Sequence, residues 1–387
     1  MKKLMMYPRA NGTYGIRNRI AVIPTVGCVN HIADAIAGAV ETADSYAHPY
    51  GCDQPGDDLV LSQKCLALMG THPNNGACLV IGLGCEEIRP HVLFEEIAKE
   101  QPNVELIVMQ EFGGTEKTVT KGIEICRRFE KMLAEQERTE VAPSALTIGV
   151  ECGGSDFTSG IASNPAVGVF SEKLCSLGGK VVFGETTELM GAEDIVIKQS
   201  RTPAIAEFIT DRIKFVEQTA IDMGIDLRGA NPSPGNIEGG LTTIEEKSLG
   251  AVCKIGKETI QDAVPFGGKA VLPGVTFVDT PGTDLMCTLG LSAAGAHIVI
   301  FTTGRGTPMG FASSPVLKVT GNSGIVGVMG ENIDMDLSGI IDGTLTLEDA
   351  GQAILERVIE TASGRETASE SLGHREFALY RISPIMT

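Results

Sequence analysis

Short, uninterrupted apolar runs alternating with stretches of helical spacing constrain this chain more than any other feature. The runs 20–26, 78–83, 104–109, 146–150, 180–183 and 297–301 are too short for helices and rich in β-branched residues. Runs of that kind mark strands buried on both faces. Between them, Val119, Ile123, Cys126, Phe129 and Leu133 share one face of a helix over 116–136. Ile205, Ile209, Ile213, Val216 and Ala220 do the same, as do Leu347, Ala350, Ile354 and Val358. Asn30 reads as the cap of a helix over 30–41. The alternation predicts an α/β fold: two lobes, mainly parallel sheets flanked by helices, with a site at strand ends between the lobes. A chain of 387 residues exceeds one ordinary core. The polar, proline-stopped stretch 135–144 is the best linker, dividing an N-terminal α/β domain over 1–140 from a C-terminal α/β domain over 141–387.

Gly-rich blocks with reactive side chains stand where these strands end. They are His48-Pro-Tyr-Gly-Cys52-Asp53, Gly84-Cys85-Glu86, Glu151-Cys152-Gly-Gly-Ser155-Asp156, the run from Asn231 to Gly250, and Thr303-Gly304-Arg305-Gly306-Thr307-Pro308. One tight turn has a packing explanation. Repeated turns bearing thiol, carboxylate, imidazole and guanidinium groups point to a large polar site.

Composition removes several alternatives. The net charge is −18, and neither the first 140 residues nor the remainder is basic, which excludes nucleic acid and anionic membrane as expected partners. Without Trp there is little platform for base stacking. No apolar run suits a membrane span or a signal peptide, so a cytoplasmic location is expected. Cysteines in that compartment are thiols rather than disulfides. Cys65, Cys126, Cys175, Cys253 and Cys287 fall in apolar or helical contexts and read as small hydrophobes.

Cys28, Cys52, Cys85 and Cys152 each adjoin a glycine at a strand end, and His48 lies four residues before Cys52. Thiolate and imidazole donors suit a transition metal. The absence of a CxxC pair disfavours a zinc knot and favours a labile Fe(II) site or an iron–sulfur cluster with an open iron. Arg305 between Gly304 and Gly306, followed by Thr307, makes an anion clamp of amides and a guanidinium. It is neither a P-loop nor a dinucleotide fingerprint. Lys318 either joins the clamp or snorkels. Ser155 and Asp156 are further substrate-binding candidates. In the long loop, Thr242-Thr243 before Glu245-Glu246 resembles a capping box. Lys247, Asn236 and Glu245 are candidates for acid/base work or substrate hydrogen bonds.

At these blocks the chain resembles the large, catalytic part of the altronate and galactarate dehydratase family, which includes the large subunit of sulfolactate sulfo-lyase. The likeness runs from Tyr7 through Arg17-Asn18 to Arg381 and is strongest in Pro24-Thr-Val-Gly-Cys28-Val-Asn30, Tyr50-Gly-Cys52, Ile81-Gly-Leu-Gly-Cys85-Glu86, Asn231-Pro-Ser-Pro-Gly-Asn236 and Thr303 to Pro308. The sulfo-lyase branch tends to lack counterparts of Cys28, Cys52 and Cys85, so the resemblance implies the sugar-acid branch. It implies conversion of an aldonate or aldarate such as D-altronate to a 2-keto-3-deoxy acid, with Fe(II) or another divalent metal such as Mn. It also implies a separate small β-rich subunit, in a homo- or hetero-oligomer, because fused relatives carry that module ahead of this region. Two other readings stay open: C–S cleavage of a sulfonated 2-hydroxy acid, and a non-catalytic subunit that binds a sugar acid.

Overall fold

The computed structural model describes residues 3–382; the outermost residues of both expected domains, 1–2 and 383–387, lie outside it. The strands are β1 (Leu4–Pro8), β2 (Tyr14–Gly15), β3 (Arg19–Pro24), β4 (Ala43–Ser45), β5 (Asn75–Gly82), β6 (Val104–Val108), β7 (Thr139–Val141), β8 (Thr147–Cys152), β9 (Lys180–Phe183), β10 (Ile260–Val264), β11 (Gly274–Val278), β12 (Ile298–Thr302), β13 (Val316–Thr320) and β14 (Met335–Asp336). Every apolar run singled out in the sequence falls on a strand, though that of 20–26 stops at Pro24 and Met109 already opens a helical turn. Two parallel sheets result, ordered β4-β3-β5-β6 and β10-β11-β9-β8-β12-β13-β14. Helices cover both, as expected for strands apolar on both faces.

Local departures have local causes. The helix over 30–41 runs Asn30–Gly38, and its N-cap is Val29, without a side-chain cap. Asn30 instead turns to the chain at His48, donating to its carbonyl at 2.8 Å. The stretch 135–144 is not a free tether: its β7 pairs antiparallel with β1, which also pairs with β2. Cys65, Cys126 and Cys287 are buried as expected, whereas Cys175 and Cys253 are half-buried.

The two parallel sheets share an apolar layer. Ala21, Ile23, Cys78 and Val80 of the smaller sheet join one buried cluster with Phe266, Leu289, Phe301, Val316 and Leu379. Asn74 crosses the same boundary, donating to the carbonyls of His297 at 2.9 Å and Ser313 at 2.8 Å.

The order of the larger sheet decides where a ligand can enter. From β8 the chain moves outward to β9, and it later returns to place β12 on the other side of β8. Strand order therefore reverses between β8 and β12, and the crevice beyond their carboxyl ends is where open α/β sheets bind ligands. A cavity of about 760 Å³ is at the opposite edge, lined by Thr147, Lys180 and His297 at or near the amino ends of β8, β9 and β12.

Candidate active site

β8 is buried along its whole length and ends in Glu151 and Cys152. Beyond it, Gly153 leaves room for a carboxylate: a Cβ there would lie 2.7 Å from Asp284, at the start of the helix Asp284–Ala293, and 2.4 Å from the Phe301 ring. A Cβ at Gly304 would likewise strike the Asp156 carboxylate. Small residues at these turns therefore let acidic side chains converge.

Around Cys152 the convergence is dense. Lys254 donates to the Cys152 sulfur at 2.9 Å and pairs with Glu185. The thiol reaches Glu188 at 3.4 Å, and Glu188 pairs with Lys247 at 2.6 Å. Lys247 also donates to the Asn231 side chain at 3.1 Å. Glu185 follows β9 with φ at 63°, a left-handed conformation that a non-glycine residue rarely holds and that active sites tolerate.

Five acidic groups (Glu151, Cys152, Glu185, Glu188 and Asp284) thus meet two ammonium groups, and ionisation adjusts. Burial, then the Glu185 and Asp284 carboxylates, push Glu151 well above the carboxylate range. Burial lifts Glu185 to about 7, against the pull of Lys254. Burial and then Glu188 lift Asp284 to about 6. Burial and then Glu185 raise the Cys152 thiol. Burial opposes the charge on Lys254, but Cys152, Glu185 and Glu188 outweigh it and hold the ammonium on. Glu188 does the same for Lys247.

Such an acid excess either keeps its protons or takes a cation. Cys152, Glu185 and Glu188 bring one ligand atom each within 4.8 Å of one another. The buried Glu151 Oε1 and Ser155 Oγ have no hydrogen-bond partner. A thiolate and two carboxylates suit a divalent transition metal.

Of the residues singled out in the sequence, Cys152 and Lys247 lie in this cluster. Asp156 is beside it, accepting from Thr158 at 2.6 Å and from Asn322 at 2.9 Å. Asn236 donates to the Ser155 carbonyl at 2.8 Å and also closes a capping box with Ser233. Gly304 and Arg305 bond through their amides to the Gly154 carbonyl at 3.1 and 2.9 Å. The Arg305 guanidinium, 44% exposed, pairs at 3.0 Å with Glu238, itself 69% exposed. Gly306 has φ +80° and donates to Thr303, while the Thr307 hydroxyl accepts from Met309. Lys318 does not snorkel: it is wholly buried, donating to the carbonyl of Pro308 in the Thr303–Pro308 loop at 3.1 Å, and burial brings it down to about 8. Glu245 points outward to Arg228, while Glu246 accepts from Thr242. Cys28, Cys52, Cys85 and His48 sit on the smaller sheet. His48 spends both ring nitrogens on backbone, at Pro24 and Tyr50.

Sequence reading missed Glu185, Glu188, Lys254 and Asp284. Phe183-Gly184-Glu185 repeats the strand–glycine–acid signal of Cys152 and could have been found. Thr283-Asp284 opens a helix and reads as an ordinary cap, and Lys254 carries no local signal.

Two family models cover most of the chain. One described as D-galactarate/Altronate dehydratase, C-terminal, matches residues 143–385. One described as D-galactarate dehydratase/Altronate hydrolase, second domain, matches residues 6–134. Altronate dehydratase of Escherichia coli (strain K12) is 34% identical over 98% of this chain and 78% of its own length. The (2R)-sulfolactate sulfo-lyase subunit beta of Chromohalobacter salexigens is 36% identical over 97% of this chain and 96% of its own. Galactarate dehydratase (L-threo-forming) of Escherichia coli (strain K12) is 29% identical over 98% and 76%.

Proposed function

The chain belongs to the D-galactarate/altronate dehydratase family, and on that premise we propose that it removes water from an aldonate or aldarate to give a 2-keto-3-deoxy acid. The observation that carries the reading is the convergence beyond β8: the half-buried Asp284 carboxyl and the Lys247 ammonium stand with Cys152, Glu185 and Glu188. A carboxyl held there beside an ammonium is placed for proton abstraction.

Arg305 binds the substrate carboxylate at the crevice mouth. Its present partner is an exposed ion pair, worth about 0–1 kcal/mol, so an incoming carboxylate displaces Glu238 at little cost. Asp284 takes the C2 proton, and Lys247 offsets the negative charge that develops on the carboxylate. Asp284 then returns the proton to the 3-hydroxyl as the C3–O bond breaks and C2=C3 forms. Water leaves, and the enol becomes the 2-keto acid. A divalent cation at Cys152, Glu185 and Glu188 would supply Lewis acidity toward the carboxylate and the enediolate.

A second reading is supported by the 36% identity to a sulfo-lyase subunit along nearly its whole length. There the first step is shared, but sulfite departs as an anion and needs no proton. That relative's name also supports a partner subunit for this chain. The exposed Phe157, Ile161, Ile237 and Val328, on segments flanking Asp156, Asn236 and Gly306, offer it an apolar rim. Anaerobic assays with Fe(II) or Mn(II) across aldonates, aldarates and sulfolactate test the proposal. A 2-keto-3-deoxy acid from a sugar acid supports it. Sulfite release alone favours the second reading, and no turnover of any of them, with or without a small subunit, removes both.

A further inference from the structure

Three thiols of the smaller sheet have no part in the chemistry above, yet the fold gathers them. Cys28 follows β3, Cys52 follows β4 and Cys85 follows β5, three neighbouring parallel strands with all three loops at one edge. The loops are bonded to one another beside each cysteine. The Gly27 amide donates to the Tyr50 carbonyl at 2.9 Å, and the amides of Glu87 and Ile88 donate to the Gly51 carbonyl at 3.0 and 3.2 Å. The Glu86 carboxylate ties Thr25 to the amides of Leu83 and Gly84. His48 clamps the same corner from beneath, between the Pro24 carbonyl at 2.8 Å and the Tyr50 amide at 3.2 Å. Gly51 (φ +114°) is needed for this closeness, since a Cβ would lie 2.3 Å from the Thr25 carbonyl oxygen.

Cys28 and Cys85 are exposed and Cys52 is half-buried, all as free thiols. Burial raises the Cys52 thiol, and Asp53, Cys28 and Cys85 are close enough to add to it. Clustering solvent-facing thiols invites oxidation unless something binds them. From this arrangement we infer that Cys28, Cys52 and Cys85 hold an iron–sulfur cluster by three of its irons and leave one iron open to solvent. The donors are sulfur alone, with His48 committed to backbone, which selects soft metals. A single zinc ion would draw its sulfurs to about 3.8 Å apart, from Zn–S bonds of about 2.3 Å. Among the described residues, Cys152, Glu185 and Glu188 are the group whose ligand atoms all lie within 4.8 Å, so these three sulfurs stand wider. A cluster, with each thiolate on its own iron, accepts sulfurs set wider than a single zinc ion does.

The test is reconstitution of the full chain under anaerobic conditions with Fe(II) and sulfide. It reads metal content, so it stands apart from the dehydratase reading. Wild type should gain visible absorption and about four irons and four acid-labile sulfides, and Cys28 and Cys85 should become protected from iodoacetamide. Cys28→Ser, Cys52→Ser and Cys85→Ser should each lose tenfold or more of the labile sulfide with an unchanged circular dichroism spectrum, whereas Cys152→Ala should keep it. Iron or zinc bound without sulfide, alkylation indifferent to reconstitution, or full sulfide in Cys52→Ser overturns the assignment. If the cysteine variants unfold, protection of wild-type Cys28 and Cys85 decides alone.

Discussion

At the scale of single residues, the crevice shows how burial sets chemistry. Asp284 and Glu185 are ordinary carboxyls whose surroundings bring them to about 6 and about 7. A base must be ionised, so turnover should fall as pH drops through the Asp284 value, about 6 in the metal-free chain and lower once a cation neutralises Glu188. Asp284→Asn should lower kcat at least about 100-fold, the usual weight of a positioned acid/base group, and flatten that limb. A variant that retains both kcat and pH profile removes Asp284 from the mechanism. Arg305→Lys keeps the charge but loses the planar fork. Its catalytic efficiency should fall about 10- to 150-fold, matching a lost charged hydrogen bond of about 1.5–3 kcal/mol. Unchanged efficiency would dismiss the clamp. Cys152 and Lys247 could be picked out beforehand because strand-end and loop position are written in the sequence. Lys254 could not, because only its 2.9 Å approach to Cys152 gives it meaning.

Among elements, strand ends and the loops after them do most of the positioning. β8, β9 and β12 are neighbours, so Cys152, Glu185 and Arg305 emerge along one edge although the chain separates them widely. Gly153 is the tightest point. Gly153→Ala should force Asp284 and Phe301 apart, costing about 1–3 kcal/mol of stability as overpacking does, and a larger fraction of kcat than of substrate affinity. Equal stability and equal kcat would show that the turn has slack. Asn30 makes the complementary point: its type and place suggested a helix cap, yet a tertiary bond to His48 won. Lys318, too, was open between two roles until β13 was seen to be buried on both faces.

Across the whole molecule, buried imidazoles and buried acids pull stability in opposite directions with pH. Burial lowers His48 and His297 to about 4 and His72 to about 3. His297 accepts the Thr147 amide at Nδ1, so its proton sits on Nε2, facing the Tyr14 carbonyl. Its folded value lies below the unfolded one of about 6.5. The stability it contributes is therefore complete above about 6.5 and drains away as pH falls toward 4. Glu185 and Asp284, raised on folding, contribute stability present at low pH and lost as pH rises through about 7 and about 6. The two sets offset each other in the wild type, so a single melting curve hides both. Comparing wild type with His297→Gln by denaturant unfolding should expose the first: the gap between them should narrow from pH 7 to pH 4. A constant gap would mean that His297 takes up its proton in the folded state. The proposed partner subunit belongs to this scale as well. Adding one should raise turnover by excluding water from the crevice and strengthening its electrostatics. Full turnover by the chain alone would make the apolar rim irrelevant to catalysis.

The sequence by itself determined the strands, the parallel α/β class and the strand ends at which the Gly- and Cys-rich blocks stand, because apolar period, glycine turns and strand-end side chains are local properties of the chain. Only the tertiary structure decided which of those side chains meet. Strand order put β8 beside β9 and so joined Cys152 to Glu185, while helix packing brought in Lys254. Strand order also put Cys28, Cys52 and Cys85 on a different sheet from Cys152. Order within a sheet follows from which faces pack against which helices, and no single stretch of sequence carries that.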